Sequence, residues 1–166
     1  MKAKSKSVGT ATLMFAALVS FSLPIAAQST IDFLSLPQTN RYLPIPAGYG
    51  GMSWGNLNYI TTSLNGNPTN SGAPVFNSSA QTISAASPGQ AFQLVSLTAS
   101  GQNSFVLTVH GYNQGVHVGS RMYVLSPTPT VLNIPQSWGN VTSITLVCWT
   151  HFGNPAPYML YRLALN

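Results

Sequence analysis

Beyond residue 27, apolar residues never recur at the three- and four-residue spacing of an amphipathic helix. They fall instead in short runs rich in Val, Ile, Leu, Thr, Tyr and Phe, separated by Gly, Pro, Asn and Ser. Such a chain can bury its apolar side chains only by pairing strands, so the pattern predicts an all-β sandwich or barrel. Phe105, Leu107 and Val109 alternate with Val106, Thr108 and His110, as in a half-buried strand. Ile144, Leu146 and Cys148 alternate in the same way with Thr145, Val147 and Trp149. Further strands are expected at Ile31–Leu36, Asn58–Ser63, Ala91–Thr98, Val116–Leu125, Thr130–Ile134 and Tyr158–Leu165. Asn65-Gly66-Asn67-Pro68 and Ser87-Pro88-Gly89 read as turns. Leu64–Pro88, polar and rich in turn residues, reads as a long surface excursion.

Residues 1–27 read as a cleaved secretory signal. Lys2, Lys4 and Lys6 precede the apolar stretch Leu13–Ala27, which Ser20, Ser22 and Pro24 interrupt. The expected product is one domain over residues 28–166, secreted, or periplasmic in a bacterium, with no membrane span. It keeps Arg41, Arg121 and Arg162 against Asp32, a net charge of +2. Too little positive charge remains to neutralise several phosphates, which argues against a nucleic-acid partner. Cys148 is the only cysteine, so no intrachain disulfide can form, and its apolar strand predicts a buried thiol.

A single carboxylate side chain excludes most hydrolytic chemistry. Ordinary glycoside hydrolysis uses two carboxyl groups, and calcium sites draw on several acidic ligands. Gly51-Met52-Ser53-Trp54-Gly55 matches the spelling of a nucleophile elbow, but no helix is expected after it. His110 and His117 could approach across a hairpin closed by Gly111–Gly115, with His151 as a third zinc ligand. No Cys or Glu completes that set, and no metal or other cofactor is expected.

Several landmarks, in order, resemble a widespread group of secreted microbial β-sandwich proteins of largely unknown function. They are Pro46-Ala47-Gly48-Tyr49-Gly50-Gly51-Met52-Ser53-Trp54-Gly55-Asn56, then Ser71-Gly72 with Asn77, then Phe92-Gln93-Leu94-Val95-Ser96. Leu107–Gly115 and the final strand Tyr158–Leu165 follow. The resemblance implies a jelly-roll-like antiparallel β-sandwich, similar to many carbohydrate-binding domains. One departure stands out. Where the group often ends on an acidic pair, this chain has Tyr161 and Arg162.

Aromatic rings stack on the apolar faces of sugars, while amide and guanidinium groups bond the hydroxyls. Tyr112 and Asn113 are expected at a loop tip, Arg121 on the next strand, and Trp138 in the turn Pro135–Asn140. These four are the expected ligand-binding residues, whereas Trp54 and Trp149 are expected in the core. The function expected is non-catalytic binding of a neutral polysaccharide or cell-surface glycan. The alternative is a matrix protein that self-associates. Asn77-Ser78-Ser79 and Asn140-Val141-Thr142 fit N-glycosylation acceptors, which matter only in a eukaryotic host.

Overall fold

The structure is a computed structural model that describes residues 28–61, 75–77, 80–101 and 105–166, with backbone only at 75–77. The expected secretory leader at residues 1–27, Ser71-Gly72 with the rest of residues 62–74, and Ser78-Ser79 of the acceptor that begins at Asn77 lie outside the described residues. Twelve strands are described. They are β1 (Ser29–Asp32), β2 (Leu43–Pro44), β3 (Met52–Ser53), β4 (Asn58–Tyr59), β5 (Val75–Asn77) and β6 (Gln81–Ala85). They continue with β7 (Leu94–Gly101), β8 (Val106–Asn113), β9 (Val116–Val124), β10 (Thr130–Asn133), β11 (Ser143–Trp149) and β12 (Tyr158–Leu165).

They form two antiparallel sheets around one core. Strands β5 to β12 divide into the four-stranded orders β10-β7-β12-β5 and β6-β11-β8-β9. The chain changes sheet at every step except the β8–β9 hairpin, which is the jelly-roll path. Strands β4 and β2 extend the first sheet beyond β5, and β3 extends the second beyond β6. The free side of β12 is shared. Its first residues pair with β5, and its last four pair with β1.

The core follows from period-2 alternation. Leu107 and Val109 on β8 and Ile144, Leu146 and Cys148 on β11 face inward against Leu97, Ala99, Leu160 and Leu163 from the other sheet. Burial pushes the Cys148 thiol up to about 11. It is therefore expected to react slowly with a thiol reagent at pH 8 in the native chain, and quickly once denatured. Fast native labelling would mean that β11 presents its other face, since a one-residue slip exchanges Cys148 with Trp149.

The polar stretch after Leu64 is not one excursion. Its last part forms β6, paired with β11 and β3, with Gln81 and Ile83 buried. The amide of Asn56 donates to Oε1 of Gln81, so a polar residue sits inside because a loop amide needs it. The first expected strand also ends early. It closes at Asp32, and the Leu36 amide turns back to the Phe33 carbonyl.

Residues of the glycine-rich landmark build the scaffold. Trp54 is buried, packs edge-on against Phe33, and donates its indole N–H to the Tyr49 carbonyl. The Tyr49 hydroxyl reaches the Asp32 carbonyl and Ser35 Oγ. Gly50 has φ of 59° with the side chain of Ile31 against its Cα, so a larger residue there meets both strain and a clash. Ser53 lies in β3 with the buried Met52 and Trp54 on either side, and no strand-to-helix turn presents it.

Candidate functional site

Two surfaces collect chemistry-bearing side chains, one on the outer face of each sheet. On the first sheet, Val131 pairs with Thr98, Thr98 with Arg162, and Arg162 with Asp32. Directly opposed residues share a face, so the four make a row across β10, β7, β12 and β1. They point outward, because the adjoining row of Leu132, Leu97, Leu163 and Ile31 is buried. The register of β12 slips between Leu160 and Arg162, leaving Tyr161 as the extra residue of a β-bulge. Bulges re-aim a side chain, and this one keeps Arg162 on the same outer face as the half-buried Tyr161, where alternation from Leu160 would turn Arg162 inward. The Tyr161 hydroxyl meets Ser100 Oγ at 3.1 Å and Met159 Sδ at 3.3 Å.

Tyr161 borders two hollows. One, of about 280 Å³, is lined by Ser100, Pro127, Pro157 and Met159. The other, of about 230 Å³, is lined by Asp32, Thr98, Pro129, Val131 and Arg162. Asp32 is the sole acidic side chain of the whole sequence. Its Oδ1 accepts from the Leu34 amide at 3.2 Å, which fixes the carboxylate at the rim of the second hollow. The groove thus combines apolar walls and an aromatic ring with one carboxylate, one guanidinium and two hydroxyl-bearing side chains.

On the second sheet, β8 and β9 close through Gln114 and Gly115, both with positive φ. The turn is therefore two residues long, and Tyr112 and Asn113 belong to β8 rather than to a loop. A second bulge lies near it. Gly111 pairs with Gly119 but Tyr112 pairs with His117, so Val118 is the extra residue. That insertion puts His117 on the same face as Ser120 and His110, which plain alternation would not do. Ser120 Oγ lies 2.7 Å from His110 Nδ1 and 2.7 Å from His117 Nε2. The Tyr112 ring stands edge-on to His117. Partial burial, and secondarily the neighbouring His117, hold His110 below the usual imidazole range.

The four residues expected to share a ligand site are divided between the two sides of the second sheet. Tyr112 is on the outer face beside His117, and Asn113 is exposed at the hairpin end. Arg121 pairs with the buried Val109 and so lies on the inner side, although it is exposed there because β9 is an edge strand. Trp138 is on the inner side too and is buried, its ring lying against Gly111 and Gly119. Tyr112 follows Gly111 directly, and successive residues of a strand point to opposite faces. Trp138, expected to be exposed in its turn, is thus buried on the side of the sheet away from Tyr112.

Two further expectations are corrected. Trp149 is not core; it is 39% exposed on the outer face next to Val106. His151 lies beyond the far end of β11, its ring tilted against Phe152, and does not join the other histidines. No group of three or more metal-ligating His, Cys, Asp or Glu side chains forms among the described residues. The groove residues Asp32, Thr98 and Tyr161 were missed as a set because they come from three distant segments. The signal available in the sequence was the departure at Tyr161-Arg162.

No family model matches the chain, and no curated protein does. Among solved structures, the chain is similar to the CBM22-1–GH10 modules of the Clostridium thermocellum N-terminal endo-1,4-β-D-xylanase 10B, solved with xylohexaose. The identity is 7% and the TM-score 0.36, over 82% of this chain and 28% of that one. At that distance, the ligand of this chain has to be read from its own residues.

Proposed function

We propose that the domain is a secreted, non-catalytic module that binds neutral glycan chains in the groove on the outer face of the first sheet. The observation that carries this reading is Tyr161, which borders two hollows and shares its face with Arg162 through a bulge, with Asp32 and Thr98 alongside. The ring offers an apolar face for sugar C–H groups. Arg162 donates to hydroxyls, Asp32 accepts from them, and Thr98 does either. One positive and one negative group leave no net attraction for an anionic polymer. Open hollows that meet at one ring suit successive residues of a chain better than a single enclosed ligand. With a single carboxylate, the groove lacks the pair that glycosidic hydrolysis ordinarily needs.

Affinity electrophoresis through a panel of neutral polysaccharides tests this. Arg162→Ala, at an exposed position, should weaken retention roughly tenfold or more while leaving the melting temperature unchanged, the usual scale for losing a charge-assisted hydrogen bond. Tyr161→Ala should abolish retention. If both variants, folded, are retained like the parent on a polysaccharide the parent binds, the groove is not the site. A matrix role has one observation in its favour. Val106, Met122, Val124 and Trp149 form an apolar patch on the outer face of the second sheet, with Met122 and Val124 70% and 71% exposed. Concentration-dependent assembly in sedimentation, without glycan retention, would favour that reading.

A further inference from the structure

We propose that the outer face of the β8–β9 hairpin binds a divalent transition-metal ion, copper(II) by preference, through Nδ1 of His110 and Nε2 of His117. The proposal is independent of the glycan groove, which lies on the other sheet. It begins with the convergence of two ring nitrogens on one point. Both are 2.7 Å from the same atom, Ser120 Oγ. The ring centroids are 5.9 Å apart, on adjacent strands of one sheet. A metal–imidazole bond is about 2.0–2.1 Å, so an ion at that point needs each ring to approach by roughly 0.6 Å more than the hydroxyl does.

The hydroxyl can give way. Ser120 is exposed, and its side chain has other staggered rotamers in which Oγ leaves the space between the rings. The backbone holds the imidazoles on one face, because the Val118 bulge fixes His117 opposite Tyr112 and diagonal to His110, whose direct partner is Ser120. Solvent reaches the site from the open side of the sheet, so water can complete the coordination. The surrounding outer-face side chains are Thr108, Tyr112, Met122 and Thr145, with no carboxylate among them. Two neutral nitrogens without a carboxylate suit copper, nickel and zinc and discriminate against calcium and magnesium. Copper(II) stands highest among the divalent ions for such ligands.

The test is a copper(II) titration of the chain carrying no added histidine tag, read by calorimetry and by electron paramagnetic resonance. The expected result is one ion per chain with hyperfine structure from two nitrogens. His110→Gln and His117→Gln should each weaken binding about a hundredfold, because the second ligand on the same scaffold acts at high effective concentration. His151→Gln should change nothing. Ser120→Ala should bind at least as tightly as the parent, since it removes the hydroxyl between the rings and keeps both ligands. Circular dichroism on each variant confirms the fold. Absence of saturable binding, a one-nitrogen signal, or undiminished binding by folded His110→Gln would each overturn the site.

Discussion

Trp138→Ala is expected to destabilise the chain by about 3–5 kcal/mol, the usual cost of truncating a buried tryptophan, and to lower the melting temperature by on the order of 10 °C. The ring is 9% exposed and sits in the short 3-10 turn Gln136–Trp138 that follows β10. It covers the strip of the inner face where β8 and β9 carry no side chain at Gly111 and Gly119. Truncation leaves a cavity bounded by rigid backbone, which cannot collapse to refill it. Glycan retention by the folded fraction should be unchanged, because the ring is not in the groove of the first sheet. Calorimetry and affinity electrophoresis on one preparation separate the two effects. A variant with an unchanged melting temperature and lost retention would restore Trp138 as a binding platform.

The complementary change is Gly119→Ala. Replacing a strand glycine by alanine ordinarily stabilises, by roughly 0.5–1 kcal/mol, because glycine has more backbone freedom to lose. Here the sign is expected to reverse. A methyl at Gly119 would overlap Trp138 Nε1 and lie 2.7 Å from both Cδ1 and Cε2. At Gly111 it would lie 2.7 Å from Cε3 of the same ring and 3.2 Å from Val118 Cγ2. An indole held between the sheets cannot swing aside as an exposed side chain would, so overpacking should cost about 1–3 kcal/mol. In the Trp138→Ala background the methyl meets empty space and the cost should vanish. A double-mutant cycle by chemical denaturation should give a coupling energy of about 1–3 kcal/mol. Equal costs in both backgrounds would mean that the ring does not lie over the glycines.

Local pattern determined much of this protein. Alternation in Phe105–His110 and Ile144–Trp149 specified both strand type and inward face, since each inward position is a side chain that water rejects. The last strand, Tyr158–Leu165, has the bounds its pattern implied. Cys148 is buried as its place in that pattern required. The strand β6, by contrast, was hidden, because Gln81, Thr82 and Ser84 carry no apolar signal. They are held by pairing with β11 and β3, which is a tertiary cause.

The sites were decided by features that alternation cannot express. A bulge at Tyr161 puts Arg162 on the same face as that ring, and a bulge at Val118 brings His117 to His110. Each adds one residue to one strand only, so it becomes visible when the partner strand is in place. Gly111, which reads as a loop boundary in the sequence, and Gly119, inside an expected strand, lie opposite each other on β8 and β9. In the fold they are the floor under Trp138, an arrangement set by the return of the chain after β10. The sequence by itself determined the all-β class and which strand faces are apolar, because those depend on side-chain period alone. Only the tertiary structure decided which polar residues meet, because register shifts and crossovers bring together Asp32, Thr98 and Arg162 from segments far apart in the chain.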